Sequence, residues 1–389
     1  MTILMLSAAH PADDVRIVAK EGAALAAAGH GVVHLSPGPA APRLLHGVEL
    51  RGTGAAPRGW RARIAAIPRL ARKAAALRPA VIHAHEPDSW LAARIAALRC
   101  GARVVLDVHE HYPSRLDPRL PRGLRPVARG ALSLACRLLS LGTQAVVVAK
   151  DGLDAPFGGP ARCIKVRNYA ADPGIAPRRH TPGPLRLVHL GALGEARGAA
   201  TMLRALALLP EETRLVLVGR FTDGSEAAFD ALAADLGVAT RVEKHGWLQR
   251  EEALRLVAGC DVALVLFQPG VENHRLALPH KLFDAMLCGL PVISPDFAVE
   301  VAAVVAEAGC GIAVPTADAS RVAAAALALQ DSALRAAIGA RGRDAALTRF
   351  GWAGEAARLV ALYERLVPGA RAWPPRERAL SPATGERVG

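Results

Sequence analysis

The sequence predicts an α/β chain of two domains, and three observations carry that expectation. Strand-length apolar runs alternate with helix-period segments along most of the chain. Its 389 residues are enough for two full cores. A Pro- and Gly-rich run from Asp172 to Pro184 splits the alternation in two and reads as a linker.

In the first half, Thr2 to Ser7 reads as a buried strand followed by the loop Ala8 to Arg16. A helix is expected from about Ile17 to Ala28, ending at Gly29, and Val32 to Leu35 begins the next strand. This unit lacks Gly-x-Gly-x-x-Gly, so bound NAD is not supported. Residues 58–78 form a basic helical stretch with Trp60, Ile64, Ile67 and Leu70 on one spacing. A sheet-covering helix and a helix lying on a membrane share that pattern. Ala80 to His85 is a strand running into Glu86, and Val104 to Glu110 is another. Polar groups at C-terminal strand ends are where α/β sheets place chemistry, which makes His85, Glu86, His109 and Glu110 candidates. From Pro118 to Arg137, Arg119, Arg122, Arg125, Arg129 and Arg137 are interleaved with leucines and Val127, a second stretch suited to a membrane surface. Ala145 to Ala149 and Ile164 to Asn168 are the closing strands.

The second half opens with the strand Leu185 to Leu190, then the loop Gly191 to Gly198, whose glycines and following helix suit a phosphate. Leu215 to Arg220 is the next strand, with Gly219 permitting close backbone approach, and Val242 to Trp247 follows. After the apolar run Val262 to Phe267, the stretch Pro279 to Ser294 reads as a helix, a turn at Gly289 and a buried strand. Lys281 and Asp284 are expected in the first turn of that helix, whose N-terminus favours phosphate. Gly311 to Pro315 is a last strand, Ala319 to Thr348 is expected helical, and a final helix runs from Trp352 through Leu366.

The net charge of +13 lies in the first half: residues 1–170 carry 24 Lys and Arg against 11 Asp and Glu, whereas the remainder balances at 24 and 24. Such a field attracts anions, whether nucleic acid, anionic lipid headgroups or a polyprenyl-phosphate acceptor. Aromatic content of 4% and the absence of a groove-reading motif weigh against nucleic acid. No apolar segment reaches the roughly 18 residues of a membrane span, and the N-terminus lacks the basic region of an export signal, so a cytoplasmic location is expected, with contact at the inner membrane face. The six cysteines show no close pairing and read as reduced thiols, without a metal site.

Pro279-His280-Lys281-Leu282-Phe283-Asp284-Ala285-Met286-Leu287-Cys288-Gly289-Leu290-Pro291-Val292-Ile293 resembles the donor-site helix of family 4 glycosyltransferases. The resemblance implies the GT-B fold, two facing Rossmann-like domains with a C-terminal helix crossing back to the first. It places an acceptor-side domain at 1–170, a linker at 171–184, a nucleotide-sugar domain at 185–349, the crossover helix at 350–367 and a disordered tail at 368–389. Asp284 would hold the nucleotide ribose. Many members carry a glutamate eight positions earlier, where this chain has Leu276, so it resembles the branch with Pro-x-Lys and the sugar contact passes to Glu272, Asn273 or Lys281. The loop His10-Pro11-Ala12-Asp13-Asp14-Val15-Arg16 is similar to the family's acceptor-side loop, which adds His10, Asp14 and Arg16 to His85 and Glu86; a simple helix cap by Asp13 and Asp14, with Arg16 solvated, is the competing reading. His109 matches the histidine that faces the sugars, with Glu110 beside it. Gly191, Arg197 and Gly198 match the diphosphate loop, Gly219 and Arg220 the next strand end, and His245 and Gly246 the base contacts.

What the resemblance implies is retaining, metal-independent transfer of a sugar from a nucleotide-sugar co-substrate, with no other cofactor, to a glycan, lipid-linked or polysaccharide precursor. The alternatives are a nucleotide-sugar epimerase or hydrolase of the same fold, or a basic nucleic-acid- or membrane-binding protein.

Overall fold

A computed structural model describes residues 1–368. Its strands are β1 (Thr2–Leu6), β2 (Gly31–Ser36), β3 (Arg43–Leu45), β4 (Val48–Gly52), β5 (Val81–Ala84), β6 (Arg103–Val108), β7 (Ala145–Val148), β8 (Cys163–Lys165), β9 (Arg186–Leu190), β10 (Arg214–Val218), β11 (Val242–Lys244), β12 (Val262–Leu264), β13 (Val292–Pro295) and β14 (Gly311–Val314). The described residues form two compact units, one of Met1–Val105 with residues 359–368, the other of Leu106–Arg358. The cut falls within β6, and the helix Trp352–Leu366 starts in the second unit and ends in the first. The tail expected from 368 lies outside the described residues beyond that position.

In the first unit the strand order is β3-β4-β2-β1-β5, parallel except for β3. β1 from Ile3 and all of β5 are buried, which is why they read as strands without polar alternation, His83 apart. β5 leads directly into the helix Pro87–Cys100. Pro87 sits where a missing N–H costs nothing, Glu86 and Ser89 form a reciprocal capping box, and Gly101 ends the helix in the left-handed conformation. The Tyr363 hydroxyl lies 2.8 Å from His83 Nδ1, tying the end of the last helix to β5.

In the second unit β7 pairs in parallel with β8, and Ala149 N–H donates to the Val108 carbonyl at 3.0 Å. A separate parallel sheet has the order β11-β10-β9-β12-β13-β14. Its core is closed by the helix His280–Leu287, in which every residue from Leu282 to Leu287 is buried. Pro279 precedes this helix and Gly289 ends it at φ 73°. Tyr169 packs edge-on against Phe283 and Phe350, with ring centroids 4.9 and 5.6 Å away. The Asp172–Pro184 segment is pinned to this unit: Arg178 reaches Asp261 at 3.0 Å, and His180 Nε2 lies 3.0 Å from the Gly289 carbonyl.

Five expectations are corrected. The helix expected at 17–28 is a π-helical stretch, Val15–Gly22, followed by a short α-helix, Ala23–Ala27. The segment 319–348 is two helices, Ala319–Ala328 and Ser332–Thr348, separated where Asp331 caps the second. β3 and β4 were not foreseen, because β3 is three residues with two of them exposed and the alternation in the five-residue β4 is too short to stand out. The 262–267 run is a strand only to Leu264, although its remaining residues are equally buried. Asp284 is the fifth residue of its helix, one place beyond the first turn, because the helix starts at His280.

β9 and β10 end in a backbone contact that only glycine allows. Gly219 has φ 152°, and a Cβ there would lie 1.9 Å from the Gly191 carbonyl oxygen. Gly219→Ala is expected to destabilise the protein by about 2 kcal/mol or more. Calorimetric melting checks this, and an unchanged melting temperature would sink it.

Candidate functional site

In the second unit the C-terminal strand ends gather charge. β6 ends in Asp107 and His109, and His109 Nε2 meets the buried Asp107 carboxylate at 2.7 Å. A carboxylate behind an imidazole fixes its tautomer and orientation. The next residues leave the strand: Glu110 is exposed and its carboxylate stands 3.6 Å from Arg115. His111 N–H donates to Asn273 Oδ1 at 2.8 Å, and the Asn273 amide returns toward the His111 carbonyl at 3.5 Å. Asn273 therefore binds the loop after β6 to the short helix Glu272–Arg275. Glu272 is paired with Arg275 at 2.6 Å.

Three cations converge around this loop. Lys150 follows β7 and is 8% exposed, yet its ammonium has no hydrogen-bond or ion-pair partner among the described residues. Arg197, at the turn before Gly198, likewise has no side-chain partner within bonding distance among them. Lys281 is half-buried, with Nζ 3.0 Å from His189 Nε2 and 5.9 Å from the Phe267 ring centroid. A Cβ on Gly191 would lie 3.7 Å from Lys281 Cε, an ordinary van der Waals contact, so this side chain lies against the Gly191 loop.

The pKa values record the crowding. Burial and then the Arg197 charge push Lys281 down to about 7. Burial also lowers Lys150, although Glu110 and Glu300 oppose it, and lowers Arg197 against Asp223 and Glu110. His274 is lowered by burial; its bond to the Gln268 carbonyl resists, and Arg197, Lys150 and Lys281 each add to the fall. All three cations thus act on one imidazole. Burying ammonium and guanidinium groups without a carboxylate in bonding contact is costly, and an anion with several oxygens relieves the cost.

Asp284 is buried elsewhere. Arg250 donates to it at 2.8 Å and His280 Nδ1 lies 2.7 Å away. Burial would raise its pKa, but His280 and Arg250 outweigh that and bring it down to about 2. His245 and Gly246 lie exposed beyond the edge strand β11, and the Arg220 guanidinium stacks over Trp247 at 5.5 Å. These residues do not join the cation group.

The first unit holds the other candidates in a tightly bonded loop. The Glu86 carboxylate accepts from Ser7 Oγ at 2.9 Å, Ala8 N at 2.7 Å and Ala9 N at 2.5 Å. Asp14 caps the following helix through the N–H groups of Arg16 and Ile17, and its second oxygen lies 3.1 Å from His10 Nδ1. Arg16 is buried and paired with Glu21 at 2.8 Å. His85 is buried and stacked on His83, their centroids 4.8 Å apart. A cavity of about 780 Å³ lies at the opposite, N-terminal ends of these strands, against Thr2 and Gly31, away from the bonded loop.

Sequence reasoning missed Lys150, His274 and Arg250, and had Asp107 only as a member of the His/acid cluster running from it to His111. The strand-end rule that picked out His109 on β6 applies equally to Lys150 after β7, and Asp107 is the alternate residue on the same strand. His274 and Arg250 carried no comparable signal, because only folding brings them to their partners.

Two family models match the chain: "Glycosyl transferase 4-like domain" over residues 15–146 and "Glycosyl transferases group 1" over residues 184–332. A curated relative, the D-inositol 3-phosphate glycosyltransferase of Xylanimonas cellulosilytica, is 27% identical over 317 residues, covering 73% of this chain and 71% of that protein. Among solved structures, sucrose-phosphate synthase from Thermosynechococcus elongatus superposes with a TM-score of 0.76 at 17% identity, over 94% of this chain and 98% of that one. The Anabaena protein HepE in complex with UDP gives 0.69 at 16% identity, over 94% and 100%.

With its pKa near 7, Lys281 loses its charge in the range where pyrophosphate binding is easily measured. The free-state ammonium is present below pH 7 and absent above it, so affinity falls as pH rises. Between pH 6 and 8 the Kd for pyrophosphate is expected to weaken about tenfold more in the wild type than in Lys281→Met. Titration calorimetry checks this, and parallel pH profiles for the two proteins would refute it.

Proposed function

The chain belongs to the family 4 glycosyltransferases, with the GT-B fold, and from that premise we propose that it moves a sugar from a nucleoside-diphosphate sugar to a glycan, lipid-linked or polysaccharide-precursor acceptor, with retention at the anomeric carbon. The observation that carries this reading is the group of three cations, Lys150, Arg197 and Lys281, held at strand ends of the second unit without carboxylate partners among the described residues. A departing nucleoside diphosphate is the anion such a group suits. HepE has been solved with UDP, with UDP and glucose, and with UDP-glucose, which supports a uridine donor.

In the mechanism we assign, breaking the glycosidic bond builds negative charge on the leaving phosphate, and Arg197, Lys281 and Lys150 offset it in a site poor in competing counter-charge. Gly191 and Gly198 let the backbone approach that phosphate. His109, oriented by Asp107, is the polar group offered to the transferring sugar, and Asn273 sets the loop that carries it. Asp284, fixed by Arg250 and His280, is assigned to the ribose side, and Glu272 to the sugar. Gly219, Arg220, His245 and Gly246 are assigned to the base, and Glu110 stands beside His109. In the first unit His10, Asp14, Arg16, His85 and Glu86 form the acceptor side, with Glu86 keeping its loop rigid. No cofactor beyond the donor and no metal is assigned, since the cations take the role a metal would have. The domain limits are taken as 1–170, 185–349 and 350–367. The membrane's inner face is the proposed place of work, by peripheral contact, and no single helix among the described residues is long and apolar enough to cross a bilayer.

Thermal melting against UDP-, GDP-, ADP- and dTDP-sugars tests the reading. One nucleotide series is expected to raise the melting temperature, UDP first. Lys150→Met and Arg197→Ala are each expected to weaken that binding ten- to a hundredfold, roughly the worth of one charge-assisted contact. If no series stabilises the wild type, the donor reading is wrong.

A further inference from the structure

The helix Arg125–Ser140 turns its apolar edge outward. Leu124, Val127, Ala131, Leu134, Leu138 and Leu141 recur at alternating intervals of three and four and therefore form one stripe. All six are exposed, Val127 by 72%, Leu134 by 58% and Leu138 by 55%. The side turned inward is mixed: Cys136 and Ser140 are buried, and Arg129, Leu132, Ser133 and Leu139 are half-buried beside them. Arg129 is held there by Asp117. An ordinary sheet-covering helix buries its apolar stripe, so burial against its own unit does not account for this exposed one, which runs about 25 Å.

Charge identifies what covers it. From Arg119 to Lys150 the chain has no aspartate or glutamate. Arg119 and Arg122 stand exposed at the N-terminal end of the stripe, and Arg137 is exposed along the helix. A second copy of the chain would bring like charges together across the contact, which opposes association. An anionic bilayer accepts both features, taking the leucines below the headgroups and leaving the guanidinium groups among them.

We propose that the Leu124–Leu141 stripe is the surface by which this protein docks onto a bilayer containing anionic lipid, the helix lying flat in the interface. This deepens the membrane contact proposed above by naming its element and its ligand, and it rests on that part of the reading.

Co-sedimentation with vesicles of phosphatidylcholine and phosphatidylglycerol tests it, alongside vesicles of phosphatidylcholine alone. The wild type is expected to pellet with the mixed vesicles and far less with the neutral ones. Leu134→Glu with Leu138→Glu, and separately Arg119→Glu with Arg122→Glu, are each expected to lower partition onto the mixed vesicles at least about tenfold. Both double variants should keep the wild-type melting temperature and its shift with UDP, since these side chains are exposed and outside the donor site. Equal pelleting by wild type and variants would overturn the proposal. So would a wild type that stays in the supernatant, whether monomeric or as a dimer that Leu134→Glu with Leu138→Glu splits in light scattering; the second case would assign the stripe to another copy. Vesicle binding without any UDP shift would support docking while overturning the donor reading, so the two failures are distinguishable.

Discussion

Holding three cations around one neutral imidazole is the constraint on which the second unit is built. Arg197 opposes the charge on Lys281, all three cations act on His274, and burial disfavours the charge on each. A side chain placed this way would ordinarily swing toward solvent or a carboxylate. Each is instead fixed near a strand end, Lys150 after β7, Arg197 in the turn after β9, and Lys281 at the start of the helix that leads to β13. The stiffness comes from the frame beneath: Gly219 pressed on the Gly191 backbone, and a helix buried on almost every side behind Lys281. Stability is given up locally and recovered in the core, a common arrangement at sites that bind charged ligands.

The buried carboxylates follow the opposite policy. Glu86 is bonded by two backbone N–H groups and a serine hydroxyl, and Asp284 by an arginine and a histidine. Satisfied buried charges stiffen what they touch. Glu86 thereby fixes the loop 7–10, and Asp284 anchors the helix that presents Lys281. Satisfied acids shape the scaffold, and under-compensated bases are left for a ligand.

The Arg125–Ser140 helix shows how far a pattern can mislead about direction. Its periodicity announces an amphipathic helix, but periodicity is silent on which side meets the protein. One apolar stripe faces out while the inward positions hold Leu132 and Leu139 together with cysteine, serine and an arginine paired with Asp117.

The alternation of apolar runs was enough to fix an α/β chain with two parallel sheets, and the ordered motifs from His10 to Ile293 were enough to indicate the family. Local sequence also determined caps and turns, such as Pro87 with Gly101, and Gly289, because these depend on residues a few places apart. The short runs of β3 and β4 and the break at Asp331 were beyond it, since apolar spacing is brief or ambiguous there. Only the tertiary structure could decide which charges are paired. Asp284 with Arg250, His111 with Asn273, and Lys150 with no partner among the described residues are outcomes of side chains 34, 162 or more positions apart meeting or missing by a few ångströms. Spacing along a chain determines which face a residue takes; distance in the fold determines what it meets there.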